Sequence, residues 1–325
     1  MFGTILISII TLMHIYVFWR AASVPIIERH TQRKILIGAG VILWAVFFLG
    51  RVIGHGGTGT LAGTLEFLGM TWMAVIFLIS VSLISIDIVT LFGFLQPRLA
   101  PALRGWALSV GILLSVIALF QGLRPPVIEK YEVHLPGLPV AMEGTVIIAL
   151  SDMHLGTQIG ERWLADRIAQ VKAQQPDLVV LLGDIFEGHG PPESQLITAF
   201  KMLSAPLGVW AVLGNHEFHG KGGLKMFAKA DFNLLRNGWA EVSPGLILAG
   251  VDDLTRRHRK KQDGDPIAQA LAGRPPGAAI LLSHSPLETE KAAEAGAGLM
   301  LCGHTHGGQI WPFDYIVRSR YPLSD

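Results

Sequence analysis

Four apolar stretches fill the first 123 residues, and they constrain the chain more than any other feature in it. They run from Phe2 to Trp19, Ile35 to Ile53, Leu65 to Leu95 and Trp106 to Leu123. Coiled as helices, each is long enough for the roughly 30 Å of hydrocarbon in a bilayer. A buried helix of a soluble protein keeps a polar face, and Ile35–Leu49 has none. The first stretch lacks a basic leader and is followed by further spans, so it reads as a retained anchor rather than a signal peptide. The third is long for one span and is expected to tilt or to extend past the hydrocarbon. Composition agrees, with only 16% charged residues and a positive mean hydropathy.

The sequence therefore predicts a membrane domain of four transmembrane helices over residues 1–123. Arg124-Pro125-Pro126 ends it, because consecutive prolines cannot continue a helix. Lysine and arginine set the expected orientation. Arg20, Arg29, Arg33 and Lys34 follow the first span, and Arg98 and Arg104 follow the third. Between the second and third lies only Arg51, beside a glycine-rich turn over residues 54–59. With the two basic loops cytoplasmic, the rest of the chain falls on the extracytoplasmic side of a plasma or inner membrane. Arg124 and Lys130 work against that bias. The glycine-rich turn lacks the Gly-Lys-Ser/Thr ending of a phosphate-binding loop and reads as a connector. Asp87 is the one acidic group deep in the third stretch; it either serves a function or pairs inside the bundle.

Beyond residue 126 the texture changes. Apolar runs at Thr145–Leu150, Leu178–Leu182, Gly208–Leu213, Leu246–Val251, Ala278–Leu282 and Leu299–Leu301 read as strands. Amphipathic segments at Glu161–Gln174, Glu193–Leu203, Leu224–Leu235 and Pro286–Ala295 read as helices. The alternation predicts an α/β domain over residues 127–325.

The residues just after each run are more informative still. The first run leads to Ser151-Asp152-Met153-His154, the second to Gly183-Asp184, the third to Gly214-Asn215-His216-Glu217. Later runs lead to Ser283-His284 and to Gly303-His304-Thr305-His306. Five strand ends each deliver a metal-capable side chain, and open α/β sheets build their sites at the carboxyl ends of strands. Residues two apart in an extended segment face the same way, so Asp152 and His154 can share a centre, as can His304 and His306. A mixture of carboxylate, amide oxygen and imidazole suits Mn, Fe or Zn ions. Cys302 is the only cysteine, which excludes an intrachain disulfide and a thiolate zinc site. A net charge of +1 gives no sign of a nucleic-acid partner.

These motifs, complete and in order, resemble the calcineurin-like metallophosphoesterase superfamily. Gly250-Val251-Asp252-Asp253 and Gly303–Ile310 are similar to its membrane-anchored branch, the transmembrane-domain metallophosphoesterases. The resemblance covers roughly Val127 to the end. It implies a two-sheet β-sandwich flanked by helices, and two divalent metal ions. One would be held by Asp152, His154 and His306, the other by Asn215, His284 and His304, with Asp184 bridging. His216 would face the substrate and protonate the leaving group. Water between two such cations becomes hydroxide near neutral pH and attacks phosphorus. The expected activity is hydrolysis of a phosphodiester or pyrophosphate, on a lipid- or nucleotide-linked substrate that the anchor keeps near membrane lipids. A phosphomonoesterase or protein phosphatase is the alternative within the enzyme class. A non-catalytic metal- or phosphate-binding sensor is the alternative outside it, and a transport path has only Asp87 in its favour. No feature sets an oligomeric state.

Two departures from the family pattern stand out. Family members continue past the last histidine motif with further strands, whereas here Tyr321-Pro322-Leu323-Ser324-Asp325 comes soon after it. Glu187 stands where related sequences often carry aspartate, and a supporting role is expected for it. His219 and His189 flank the motifs as weaker substrate-contact candidates. Arg256-Arg257-His258-Arg259-Lys260-Lys261 is the densest charge run, either a solvated loop or an anchor for lipid headgroups or a phosphorylated substrate.

Overall fold

The computed structural model describes residues 2–322 apart from 58, 157, 188–193, 219–222 and 310–312. The chain forms two compact units, Met1–Lys130 and Tyr131–Asp325.

The first unit is helical: α1 (Phe2–Ala21), α2 (Pro25–His30), α3 (Arg33–Leu49), α4 (Thr60–Val89) and α5 (Ala100–Gly122). A π-helical turn, Gly50–Gly54, extends α3. Four of these segments are long and apolar enough to cross a membrane. Ile10, Val17, Phe47, Ile76 and Leu83 fill the bundle interior. Leu12, Ile42, Trp106 and Phe120 are exposed on its outside, which suits hydrocarbon better than water. A Cβ on Gly50 would come within 3.0 Å of the Gly69 Cα, so the missing side chain lets α3 and α4 approach closely. The long third span begins at Thr60 and ends at Val89, earlier at both ends than the apolar pattern suggests. Near its end Asp87 is fully buried and paired inside the bundle. Arg20 Nε lies 2.6 Å from it and the Arg104 guanidinium 2.9 Å, and the Tyr16 hydroxyl donates to it at 2.7 Å.

The second unit carries eight strands: β1 (Ile147–Leu150), β2 (Leu178–Leu181), β3 (Val209–Ala211), β4 (Asn233–Leu234), β5 (Gly238–Ser243), β6 (Leu246–Gly250), β7 (Ala278–Leu282) and β8 (Leu299–Leu301). They make two four-stranded sheets in the orders β1-β2-β3-β4 and β5-β6-β7-β8. All pairings are parallel except β5 with β6.

Strand periodicity of two assigns each residue to a layer. Leu178 and Val180 of β2 pack against Leu246, Leu248 and Ile280 of the other sheet. Val179 and Leu181, between them, face α6 (Glu161–Lys172), α7 (Ser194–Phe200) and α8 (Gly223–Lys229) through Leu164, Ile168, Phe200 and Phe227. The outer face of the second sheet, Ile247, Ala249 and Leu281, is covered by α9 (Leu254–Arg259), α10 (Pro266–Leu271) and α11 (Thr289–Glu294). A final helix, α12, spans Phe313–Arg320. With both faces of each sheet covered, the central strands are continuously apolar. The result is the helix-flanked two-sheet sandwich that the resemblance implies.

Two strands escape the apolar-run criterion. In β5 (Gly-Trp-Ala-Glu-Val-Ser) exposure alternates as expected of a half-solvated edge strand. β4 occupies the end of the segment expected to be helical to Leu235, because α8 stops at Lys229 and the chain turns back to pair with β3.

Candidate metal centre

Parallel register brings the loops together. Leu150 is level with Leu181 and Leu181 with Ala211, so Asp152, Asp184 and Asn215 emerge from one sheet edge side by side. In the second sheet Leu282 is level with Leu301, which sets His284 beside His304. Backbone pairing continues past the strands: Asp152 N donates to Gly183 O at 3.1 Å, His154 N to Asp184 O at 3.0 Å, and Gly303 N to His284 O at 2.9 Å. The sheets are tied together at the same end. His304 N donates to Asp152 Oδ2 at 2.9 Å, and His284 Nδ1 lies 2.8 Å from Leu182 O.

The side chains then converge into overlapping groups whose candidate ligand atoms lie within 4.8 Å of one another: Asp152, His154 and His306; Asp184, His284 and His304; and His154, Asp184 and His216. Asp184 is common to two groups. His154 Nε2 lies 3.4 Å from His306 Nε2, and His304 Nδ1 lies 3.2 Å from His284 Nε2. His306 Nε2 is 3.1 Å from Asp152 Oδ1, and His284 Nε2 is 3.2 Å from Asp184 Oδ2. Imidazole nitrogens facing each other, with carboxylates around them, are arranged as ligands of a divalent cation could be. Asn215 Oδ1 is buried without a hydrogen-bond partner, and a buried amide oxygen in that state is costly unless a ligand takes it. This donor set fits divalent metal ions.

Backbone conformation marks the same residues. Asp152, His154, Asp184, His304 and His306 all have φ between 46° and 73°, a left-handed region that non-glycine residues seldom adopt and that clusters at functional sites. The preceding glycines make room for them. A Cβ on Gly214 would collide with the Asp184 carboxylate, and one on Gly303 with the Ser151 hydroxyl.

A supporting layer orients the ligands. Glu187 Oε2 lies 2.9 Å from His154 Nδ1, and the Leu182 carbonyl does the same for His284. Each leaves Nε2 for the centre. Glu217 is wholly buried, and its carboxylate accepts hydrogen bonds from the backbone N–H groups of Asp184, Ile185, Phe186 and Gly214. It clamps the β2 and β3 loops together. Burial pushes its pKa up, against the pull of those amides.

Charge follows the geometry. Burial alone would lower His284, but its hydrogen bond to Asp184 raises it to about 9. Burial alone would raise Asp152, but hydrogen bonds from His306 and Ser151 hold it below the usual carboxylate range. Burial and then the neighbouring His284 charge lower His304. A proton on His284 balances the Asp184 carboxylate, and a metal ion would displace it. Burial pushes the Cys302 thiol up to about 12, which keeps it protonated and unreactive.

Six of the seven expected ligands fall in these groups, Asn215 precedes His216 in the chain, and the His216 ring centroid is 4.6 Å from that of His154, with its backbone N–H donating to Asp184 Oδ1 at 2.8 Å. His219 and His189 lie outside the described residues. The clamp by Glu217 is a finding of the structure alone. Its one signal in the sequence is an acidic residue inside the Gly-Asn-His-Glu motif, after a fully apolar strand. The basic run also divides. Arg257 donates to the carbonyls of Asp263 and Gly264 and His258 pairs with Glu288, while Arg256 lies over the Phe218 ring.

Comparison with known proteins agrees with this geometry. Residues 145–308 match the model of the calcineurin-like phosphoesterase family. A bovine transmembrane protein with metallophosphoesterase domain is 32% identical over 66% of this chain and 52% of its own length. The zebrafish (Danio rerio) protein of the same description is 29% identical over 65% and 51%. An uncharacterized metallophosphoesterase of Aquifex aeolicus is 34% identical over 58% of this chain and 73% of its own. The chain spans about half the length of the first two. With more than half its length matching the family model, including all of the converging side chains, the chain belongs to the calcineurin-like phosphoesterase family.

Proposed function

We propose that this protein is a membrane-anchored, dinuclear-metal phosphoesterase that hydrolyses a phosphodiester or pyrophosphate bond of a lipid- or nucleotide-linked substrate. The observation that carries the proposal is the convergence of five strand-end loops on three overlapping groups of candidate ligands, two of which contain Asp184. Asp152, His154 and His306 would hold one ion. Asn215, His284 and His304 would hold the other, and Asp184 would bridge them. When bound, such ions neutralise charge on phosphoryl oxygens and supply a water acidic enough to act as nucleophile.

The chain's own residues account for the rest. Glu187 and the Leu182 carbonyl hold imidazole rings in the orientation that points Nε2 inward. Glu217 keeps the Asp184 and Asn215 loops at fixed separation. His216, half-buried at the rim, is assigned to steadying the phosphoryl oxygens and giving a proton to the departing alkoxide, a role worth about 10²–10⁴ in rate. Its ring also falls in a ligand-sized group with His154 and Asp184, so metal content distinguishes an acid from a ligand. The apolar helices support a substrate met at a lipid surface. The lysine and arginine distribution supports an extracytoplasmic domain.

The test uses purified full chain in detergent with Mn²⁺. Metal-dependent cleavage of bis-p-nitrophenyl phosphate in excess over p-nitrophenyl phosphate is the expected result. Activity on the monoester alone would overturn the diesterase reading, and absence of metal-dependent cleavage of both would overturn the enzyme reading. Protease access to the domain in sealed right-side-out vesicles is expected, and protection there would reverse the orientation.

A further inference from the structure

Arg256 differs from every other cation in its run. Its guanidinium carbon lies 4.1 Å from the centroid of Phe218, a stacking distance for a cation over an aromatic face. Phe218 closes the 3₁₀ turn that begins at His216, and its N–H donates to the Asn215 carbonyl. Two residues of such a turn advance only about 4 Å, so the stacked cation lies against the short turn that carries the proposed acid.

The base of the arginine is fixed from the other side. Asp253 caps α9 by accepting from Thr255 N and Arg256 N. It also accepts from the hydroxyl of Ser285, which is next to His284 in the chain and lies 2.7 Å from the Thr255 hydroxyl. Arg256 therefore spans the loops of Asn215 and His284, which are assigned to the same ion. A second arginine, Arg236, lies 5.9 Å from the Phe218 ring, but Asp252 engages it through two contacts of 2.9 and 2.6 Å. Among the described residues no carboxylate forms an ion pair with Arg256, so its five N–H donors are held beside that turn without an acidic partner. A stacked guanidinium is a rigid fork matched to phosphate oxygens.

We infer that Arg256, stacked on Phe218, binds a second phosphate of the substrate, joined through one bridging oxygen to the phosphorus attacked at the metal centre. The preferred substrate class is then a diphosphate-linked compound rather than a simple diester. The inference rests on the phosphoesterase reading and narrows it.

The experiment compares kcat/KM of the full chain in neutral, lipid-free detergent on UDP-glucose, which carries two phosphates, and on bis-p-nitrophenyl phosphate, which carries one. The wild type is expected to cleave both. In Arg256→Gln the two-phosphate to one-phosphate ratio should fall about 10- to 100-fold, the size of a lost charged hydrogen bond, chiefly through KM. Arg256→Lys, which keeps charge but not the fork, should fall between. Arg259→Gln, exposed on the same helix, should leave the ratio unchanged. An unchanged ratio in Arg256→Gln overturns the inference, and so does a wild type that cleaves only the single-phosphate ester. Loss of bound metal in both Arg256 variants also overturns it, since the role would then be structural. An effect that appears only when anionic lipid is added assigns the arginine to membrane headgroups instead. Failure of the wild type on both substrates defeats the diesterase or pyrophosphatase reading on which the inference rests and is distinguishable from all of these.

Discussion

Both units bury ionisable side chains, and they treat them in opposite ways. In the helical unit Asp87 is surrounded by Arg20, Arg104 and the Tyr16 hydroxyl at 2.6 to 2.9 Å. Arg104 Nη2 also donates to the Phe92 carbonyl at 3.0 Å. Opposite charges are paired there, and Asp87 itself sits in regular helix. In the α/β unit the carboxylates and imidazoles converge on a common centre, an amide oxygen is left unpartnered, and five of the residues sit in left-handed backbone. A polar cluster whose groups satisfy one another holds a fold together. One whose groups point at a common centre, on strained backbone, is built for a ligand. Asp87 is ambiguous in the sequence because an intramembrane carboxylate is compatible with either kind; its partners assign it to the first.

Substitutions can break this contrast. The largest effect is expected at Asp184, common to two of the three candidate groups and proposed to bridge the ions. Asp184→Asn should lower hydrolysis by at least about 10³-fold, since metal-borne charge stabilisation is worth several kcal/mol. Metal analysis should show fewer ions bound per chain. Full metal content with full activity would remove the bridging assignment.

His216→Ala comes next, with an expected loss of about 10²–10⁴ in kcat while both ions remain bound. Loss of one ion would make His216 a ligand. Undiminished turnover would leave it with no role in the reaction.

Asp87→Asn tests the other side of the comparison. Removing the charge leaves two buried arginines without a counter-ion, a loss of about 3–5 kcal/mol in comparable buried pairs. Thermal unfolding in detergent should show the membrane unit melting earlier, with metal content unchanged. A variant with unaltered melting but abolished hydrolysis would place Asp87 in the chemistry and erase the contrast.

The smallest effect is expected at Glu187, which orients His154 without joining the centre. Glu187→Gln should weaken metal affinity by about 10- to 100-fold, the usual consequence of losing an outer partner of a ligand histidine. Titration with Mn²⁺ measures it, and unchanged affinity would show that the Glu187–His154 contact of 2.9 Å carries no weight.

Much of this architecture is legible in the amino-acid sequence. Apolar runs such as Ala278–Leu282 coincide with a strand end to end, because a strand buried on both faces has no polar positions to blur its limits. The ligand residues are legible for a related reason: each comes directly after such a run, so register alone brings them together. Features that depend on contacts distant in sequence stay hidden. Glu217 serves amides 31 to 33 residues earlier, which no local pattern reveals. β5 is hidden by its half-solvated alternation, and β4 by being two residues long. The charge run 256–261 looks uniform because stacking on Phe218, capping by Asp253 and pairing with Glu288 divide it only in three dimensions.

The most direct test of the central claim is to locate bound metal in the full chain, by anomalous diffraction at the manganese edge together with elemental analysis. Two ions per chain are predicted, one among Asp152, His154 and His306 and one among Asn215, His284 and His304, with Asp184 touching both. A protein that binds no metal, or binds it away from these seven side chains, would contradict the account.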